Sequence, residues 1–356
     1  MKKVILPACL ALFLLLPVSG QQNESPVGSS SPDNSSGSYR LFEDESILPI
    51  TLRFDLSTYF RTKPKKEYLT ANLTFHKDEN DSLSRDIRLK TRGIFRNSWC
   101  VFPPIELNFK KASFGYSDLD SIGKIKLVTQ CGSGKVNEEY ILKEYLAYKM
   151  FSVFTDTSFR VRLLKITYLD SEKKRKPVEH YGFFLEPLEM LTKRTNTFQV
   201  KSASLTQKSI EPRVMDRLAI FNYMIGNYDW SIPGQHNVKI IKPMKLDPSG
   251  FGIAIPYDFD WSGLVDPSYA IPVEETGLES VRERLFTGVC RSRETYLKDL
   301  EAFAENKDEF YRIINDFPYI SARVKRELSY YLDGFFNRMS GKNYLVDDLL
   351  ETCKNF

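Results

Sequence analysis

The sequence predicts an α+β protein with a β-rich first half and a helix-rich second half, in which one β-hairpin is embedded. Between residues 46 and about 200, apolar and polar side chains alternate in short runs separated by turn residues, which is the period of half-buried strands. From about residue 210, apolar residues recur at helical spacing, apart from two strand-like runs around a Leu-Asp-Pro-Ser-Gly turn. The 356 residues, of which 42% are hydrophobic, are enough to bury a large core.

The first 45 residues have a different composition from the rest. Two lysines, an apolar run and a Ser-Gly exit predict a secretory signal peptide over residues 1–20. Residues 21–45 are rich in Ser, Gly and Asn in their first part, and we interpret them as a flexible tether. No later apolar run is long enough to span a bilayer. We therefore expect an exported protein that is secreted, periplasmic or held at the cell surface.

Each run in the β-rich half is short and bounded by turn residues. The sequence predicts strands at 47–56, 68–75, 86–93, 105–111, 124–130, 160–170, 180–188, 237–243 and 251–258. Residues 137–154 interrupt them with an apolar stripe at helical spacing, and Asn137 is a candidate N-cap. Residues 213–227 have a second such stripe, and residues 278–356 alternate amphipathic helices with loops.

Charge and cysteine content exclude some classes of function. The net charge of +4 is too small to predict a nucleic-acid partner. Export would leave four cysteines, for which three pairings are possible, and Cys100 with Cys131 is the pair we favour. A zinc site is not expected, because the chain has three histidines and no Cys-x-x-Cys spacing. The sequence does not indicate an oligomeric state.

Two irregular segments hold the residue types of a metal and phosphate site. Residues 226–237 read GNYDWSIPGQHN and precede the first strand of the predicted hairpin, while residues 256–263 read PYDFDWSG and follow its second strand. A hairpin brings these two positions together, so Asp229, Asn237 and the Asp258–Asp260 pair can converge. Oxygen ligands of this kind suit Mg²⁺ or Mn²⁺. The alternative is that these side chains only shape turns.

The order of several short motifs resembles the spore-coat protein H (CotH) kinase family, whose members are exported atypical protein kinases. The resemblance extends from about residue 80 to 265. The motifs are an Arg-Gly-x-x-Arg loop after a strand, a Lys-x-Lys-Leu-Val strand, a helix, a Tyr-Gly segment ending in Glu, Asn-x-Asp followed by Asn, and Tyr-Asp-Phe-Asp. The resemblance implies an atypical protein-kinase-like bilobal fold, with a β-rich nucleotide-binding lobe at 46–200 and a helical lobe at 201–356 that holds the metal and catalytic residues.

The resemblance also implies roles for individual residues in transfer of the γ-phosphoryl group of ATP to a protein hydroxyl. Asp229 would be the catalytic base, preferred over His236. Asn237, Asp258 and Asp260 would hold Mg²⁺ or Mn²⁺. The nucleotide would be bound by Arg92, Gly93, Arg96, Lys124, Lys126 and Glu186. Either Glu139 or Glu144, on the helix after the lysine strand, could pair with that lysine.

Two other functions are compatible with the same residues. The first is a non-catalytic secreted protein that binds a partner or takes part in surface assembly, since a fold does not by itself imply an activity. The second is an acid–base hydrolase built on the paired carboxylates, which leaves Asn237 and the basic residues unexplained. Trp230 and Trp261 either border the pocket or belong to the core.

Overall fold

A computed structural model describes residue 1 and residues 37–77, 81–245, 250–340 and 344–355 of the chain. The predicted signal peptide beyond its first residue and positions 21–36 of the predicted tether lie outside this part. Within it, no helix has both the length and the apolar character that a membrane span requires. From Gly37 onward the chain forms one compact unit.

Seven strands of the first half close into a barrel in the order β1-β2-β3-β4-β5-β7-β6. The strands are β1 (Leu48–Phe54), β2 (Leu69–His76), β3 (Ser82–Thr91), β4 (Ile105–Asn108), β5 (Lys124–Val128), β6 (Val161–Asp170) and β7 (Val178–Leu185). All neighbours are antiparallel except β1 and β6, which pair in parallel from Leu48 opposite Leu164 to Phe54 opposite Asp170. This last pairing closes the barrel.

The closed barrel shows that the prediction of a kinase-like bilobal fold is wrong. The individual strands are where the alternating pattern placed them, and the structure adds the parallel β1–β6 pair. A kinase-like lobe was inferred from the order of motifs, and that order carries no information on which strands pair across the chain. Helix α4 (Lys135–Ser152), between β5 and β6, packs into the same hydrophobic core as the helices of the second half.

Parts of strands β5, β6 and β7 bury side chains on both faces, and these parts attach the barrel to the helices. Successive side chains of a strand point to opposite faces. Accordingly, Leu164 and Phe184 fill the barrel core, whereas Leu163 and Phe183 pack outward against the helical core. All four side chains are at most 2% exposed. The barrel and the helices are thus held together by apolar burial.

The second half contains a three-stranded antiparallel sheet, in the order β10-β9-β8, and most of the helices. The strands are β8 (Thr197–Val200), β9 (Val238–Pro243) and β10 (Ile253–Pro256). The hairpin β9–β10 confirms the two predicted strands, although residues 246–249 of its turn lie outside the described part. The remaining helices are α1 (Leu56–Thr62), α2 (Phe95–Trp99), α3 (Ser117–Asp120), α5 (Leu188–Arg194), α6 (Pro212–Met224), α7 (Arg293–Glu305), α8 (Lys307–Asn315), α9 (Ala322–Met339) and α10 (Tyr344–Thr352).

Two disulfides crosslink separate parts of the fold. Cys100 is bonded to Cys131, which confirms the favoured pairing, and Cys290 is bonded to Cys353. The first joins the end of α2 to the loop before α4. The second joins the segment before α7 to the end of α10, where Cys290 N–H also donates to the Lys354 carbonyl at 3.1 Å. Both bonds suit the oxidising environment expected of an exported protein.

Asp216 on α6 and Asp299 on α7 form a carboxyl pair that makes part of the free energy of unfolding depend on pH. Arg291 Nε donates to both carboxylate oxygens of Asp216 at 2.9 Å, and Asp299 lies beside that carboxylate. Burial and then the negative charge of Asp216 raise the pKa of Asp299 to about 6. Burial also raises the pKa of Asp216, although the Arg291 guanidinium acts in the opposite direction. At mildly acidic pH the two carboxyl groups therefore tend to hold one proton between them.

We expect the unfolding free energy of the wild type to fall relative to that of an Asp299→Asn variant as the pH rises from about 4 to about 6. The folded carboxyl binds its proton more tightly than the unfolded one, whose pKa is about 3.9. The contribution of Asp299 to the free energy of unfolding is therefore complete below about pH 4 and lost above about pH 6. It amounts to about 1–2 kcal/mol after solvent screening. Urea unfolding across this range measures it. Glu301→Gln, an exposed acid on the same helix, is the control and should leave the profile unchanged. Parallel profiles for the wild type and Asp299→Asn would contradict the assignment.

Candidate active site

The loop after β3 directs the Arg96 side chain into the protein interior. Thr91 N–H donates to the Pro64 carbonyl at 2.7 Å and Arg92 N–H to the Pro104 carbonyl at 2.9 Å, so the strand end is held from both sides. Gly93 then adopts a φ of +81°, which glycine reaches without steric cost, and the chain enters α2. As a result Arg96 is only 8% exposed, whereas Arg92 is partly exposed.

The Pro-Gly segment between Asp229 and Asn237 folds into a tight loop that returns the chain to Asp229. Ser231 and His236 exchange two backbone hydrogen bonds of 3.0 Å. Asn237 Nδ2 consequently donates to Asp229 Oδ2 at 2.9 Å, and His236 Nε2 lies 2.8 Å from Asp229 Oδ1. Both carboxylate oxygens of Asp229 therefore have a partner from the far end of the loop.

The hairpin places Asp258 next to this loop. Tyr257 N–H donates to the Asn237 carbonyl at 2.9 Å, which joins the residue before β9 to the residue after β10. Asp258 adopts a φ of +66° and donates its N–H to Tyr148 Oη on α4 at 2.8 Å. Asn237 has a φ of +50°. Left-handed conformations are uncommon for non-glycine residues, although Asn and Asp adopt them more readily than most.

These loops enclose one cavity of about 620 Å³. Arg92, Gly93 and Arg96 line one side, while Asp229, Asn237, Asp258 and Asp260 line another. Apolar side chains complete the wall, among them Ile94, Phe95, Trp261, Val273 and Leu285. The structure thus brings together seven of the residues that the sequence singled out.

Within the described residues, Arg96 is the only guanidinium within ion-pair distance of the buried carboxylates Glu144 and Asp260, and Asp260 lines the cavity. Its Nη1 lies 3.8 Å from Asp260 Oδ2 and 4.0 Å from Glu144 Oε2, and its Nη2 donates to the Thr129 carbonyl. Neither Glu144 oxygen has a hydrogen bond within the described residues. Tyr269 Oη donates to Asp260 Oδ2 at 2.9 Å. Glu144 therefore pairs with Arg96, whereas the sequence suggested the strand lysine.

Negative charge exceeds positive charge in this group. Burial, and then the Asp258 charge, raise the pKa of Asp260 to about 6. Burial and the charges of Asp260 and Asp258 likewise raise the pKa of Glu144. Burial acts to lower the pKa of Arg96, but the surrounding Tyr269, Asp260 and Glu144 outweigh it, and the pKa is raised. One guanidinium does not offset these carboxyl groups, and the raised pKa values of Asp260 and Glu144 mean that the group favours binding a proton or another cation.

The two lysines of β5 occupy different surroundings, although they share one face of the strand. Lys124 is exposed and lies 3.3 Å from Glu106 Oε1, away from the cavity. Lys126 is partly buried, with its Nζ 4.6 Å from the centre of the Tyr257 ring. Burial, and then the Arg92 charge, lower the pKa of Lys126 to about 8. Lys126 is therefore the lysine at the edge of the candidate site.

The structure does not bring Glu186 to the cavity. Its carboxylate accepts from Arg194 at 2.8 and 2.9 Å and from the Arg160 N–H at 3.1 Å, so it holds the chain between β7 and α5. The two tryptophans differ as well. Trp261 borders the cavity and packs edge-on against Phe95 at 4.9 Å, whereas Trp230 belongs to the helical core.

Sequence reasoning missed several residues of the site. Tyr148 lies in the helix predicted at 137–154 and is buried in the core, and its hydroxyl also accepts from the Asp258 N–H. Tyr269 lies in a loop that has no periodic signal. The segment from Val273 to Thr287, which covers the cavity from the helical side, contains only a short 3₁₀ turn and gives no pattern.

The acidic side chains of the cavity do not form a complete metal site by themselves. In the described residues, no three His, Cys, Asp or Glu side chains lie close enough to bind a metal ion by themselves. Mg²⁺ usually keeps several waters and takes one or two protein carboxylates together with substrate phosphates. Asn237, Asp258 and Asp260 line the same cavity and carry oxygen donors of this kind.

The chain matches no protein-family model, and no curated protein is significantly similar to it.

Proposed function

We propose that this cavity binds ATP with Mg²⁺ or Mn²⁺ and transfers the γ-phosphoryl group to a hydroxyl of a protein acceptor. The observation that carries the proposal is the division of charge across one cavity. Asp229, Asp258 and Asp260 line the cavity together with Arg92, and Lys126 lies close enough to Arg92 and Asp258 for their charges to act on it. The proposal depends on these residues and on the sequence resemblance, and not on a kinase-like fold.

Phosphoryl transfer requires little covalent chemistry from the protein, and is promoted by positioning and charge stabilisation. Arg92 lines the cavity and is partly exposed, so its guanidinium is suited to contact phosphate oxygens. Lys126 would supply a second positive charge. When bound, the divalent cation would neutralise phosphate charge, held by Asp258 and Asn237 with support from Asp260.

Asp229 is the group that would orient and deprotonate the acceptor hydroxyl. Its side chain is 35% exposed, so a substrate can reach it. The bonds from His236 and Asn237 fix both oxygens in place. Such fixed orientation is what a general base needs before proton transfer. The apolar wall formed by Ile94, Phe95 and Val273 is suited to pack against the adenine ring.

A transfer assay tests the proposal. The purified chain would be incubated with γ-labelled ATP and a generic protein acceptor such as dephosphorylated casein, in Mg²⁺, in Mn²⁺ or with EDTA. We expect labelled protein only when a divalent cation is present, and none with Asp229→Asn. Transfer that is unchanged in EDTA or in Asp229→Asn would refute the assignment.

An exposed apolar patch beside the cavity favours partner binding as the second candidate function. Ile94, Phe95, Trp99 and Val101 are 86, 40, 62 and 68% exposed. Contiguous apolar surface of this kind marks interaction sites. A non-catalytic protein would use the patch without nucleotide, and the absence of ATP binding at millimolar concentration with Mg²⁺ would favour this alternative.

A further inference from the structure

A second cavity lies at one end of the barrel and shares no lining residue with the candidate active site. Its volume is about 380 Å³, within the range of small-molecule sites, which often lie in the mouths of barrels. Most of its wall is apolar, with Leu56 and Phe60 of α1 on one side and Phe102 on another. The proposed phosphoryl transfer makes no use of it.

Two buried polar groups in the wall of this cavity have no partner. Gln130 and Tyr168 are 1% and 0% exposed, and both line the cavity. Neither Gln130 Oε1 nor Tyr168 Oη has a hydrogen bond within the described residues. Buried polar atoms are nearly always hydrogen-bonded. Two such atoms without partners in the wall of one cavity therefore indicate that a ligand or water binds there. A hydroxyl group can accept from Tyr168 and donate to Gln130.

The rim of the cavity is positively charged. Arg175 lies on the β6–β7 loop with its guanidinium 5.1 Å from the centre of the Phe60 ring, and Nε donates to Ser57 Oγ at 3.3 Å. No carboxylate of the described chain lies within ion-pair distance of it. Lys176 is exposed beside it. The acids nearby are engaged elsewhere: Asp170 accepts three backbone N–H groups, and Glu138 pairs with His180 at 3.0 Å.

We propose that this barrel-end cavity binds a small organic acid with an apolar body, a carboxylate at one end and a hydroxyl at the other. The carboxylate would meet Arg175 at the rim, the apolar body would pack on Phe60 and Phe102, and the hydroxyl would satisfy Tyr168 and Gln130. A hydroxyaryl carboxylate has these features within the available volume. The inference is independent of phosphoryl transfer.

Titration calorimetry with para-hydroxyphenylpropanoate tests the inference, with phenylpropanoate as the probe that lacks the hydroxyl. We expect Tyr168→Phe to weaken binding of the hydroxylated acid about tenfold and to leave phenylpropanoate unaffected. Arg175→Gln should weaken both acids about tenfold. Lys174→Gln, on the same loop but outside the cavity lining, is the control and should change neither.

We expect Tyr168→Phe to remain folded, so that a change in its binding reports on the cavity. The Tyr168 hydroxyl has no partner in the free protein, so Tyr168→Phe should retain the wild-type Tm. The inference is overturned if neither acid binds at millimolar concentration, or if Tyr168→Phe and Arg175→Gln bind both acids as tightly as the wild type. It is also overturned if a crystal structure grown with the probe shows only ordered water between Gln130 and Tyr168.

Discussion

Replacing Asp258 with Asn will reduce cation-dependent phosphoryl transfer by about 10²–10³-fold, the size of effect seen when one charge-stabilising group is removed from an active site. Asn keeps the shape of Asp but carries no charge, so it removes the carboxylate proposed to hold the cation. Asn also tolerates the left-handed φ of +66° at this position, whereas Ala would add backbone strain to the measured effect. Steady-state transfer from γ-labelled ATP measures the change.

Asp266→Asn is the matched control for this variant. Asp266 also has a positive φ, of +51°, and pairs with Arg282 at 3.1 Å, but it does not line the cavity. We expect its transfer rate to stay within about twofold of the wild type, since its loss removes only a partly exposed ion pair. Equal transfer by Asp258→Asn and Asp266→Asn would contradict the role of Asp258.

Replacing Arg96 with Met should lower the unfolding free energy by about 3–5 kcal/mol, the range found when one partner of a buried ion pair is removed. Glu144 is fully buried and Asp260 is 7% exposed, so neither regains water when the guanidinium is lost, and each must stay charged without a partner or bind a proton. The methionine fills part of the space but offers no hydrogen bond to the Thr129 carbonyl. Urea unfolding at neutral pH measures the loss.

A compensating variant separates lost charge from lost packing. Adding Glu144→Gln and Asp260→Asn to Arg96→Met removes the buried negative charge, and we expect it to restore at least about half of the lost stability. Arg162→Met is the control, because Arg162 is equally buried but its partner Asp44 is 58% exposed and can be solvated. A loss for Arg162→Met as large as for Arg96→Met would show that arginine packing, not charge, dominates.

Local patterns predicted most individual elements of the fold. Alternation located the barrel strands and the hairpin, and helical spacing located α4 and α6 within a few residues. Short helices such as α1 and α2 were missed, because one or two turns give no measurable period. Barrel closure was also missed, since the parallel β1–β6 pairing is a long-range contact between two strands that are each typical on their own.

The part of the candidate site at the base of the β9–β10 hairpin was predictable from the sequence. A hairpin necessarily brings the residue before its first strand near the residue after its second, which is why Asn237 and Asp258 meet. The pairing of Arg96 with Glu144 and Asp260 was not predictable, because it joins two helices and the loop after β10, from three parts of the chain. The choice between Lys124 and Lys126 likewise depends on the ring of Tyr257, which no spacing rule locates.

Calorimetric titration of ATP into the wild-type protein, with Mg²⁺ and separately with EDTA, tests the central claim most directly, because it needs no acceptor. We expect ATP to bind at least about tenfold more tightly with Mg²⁺, and this gain to disappear in Asp258→Asn while Asp266→Asn retains it. No binding of ATP at millimolar concentration in the presence of Mg²⁺, or equal binding with EDTA, would contradict the claim that this cavity is a metal–nucleotide site.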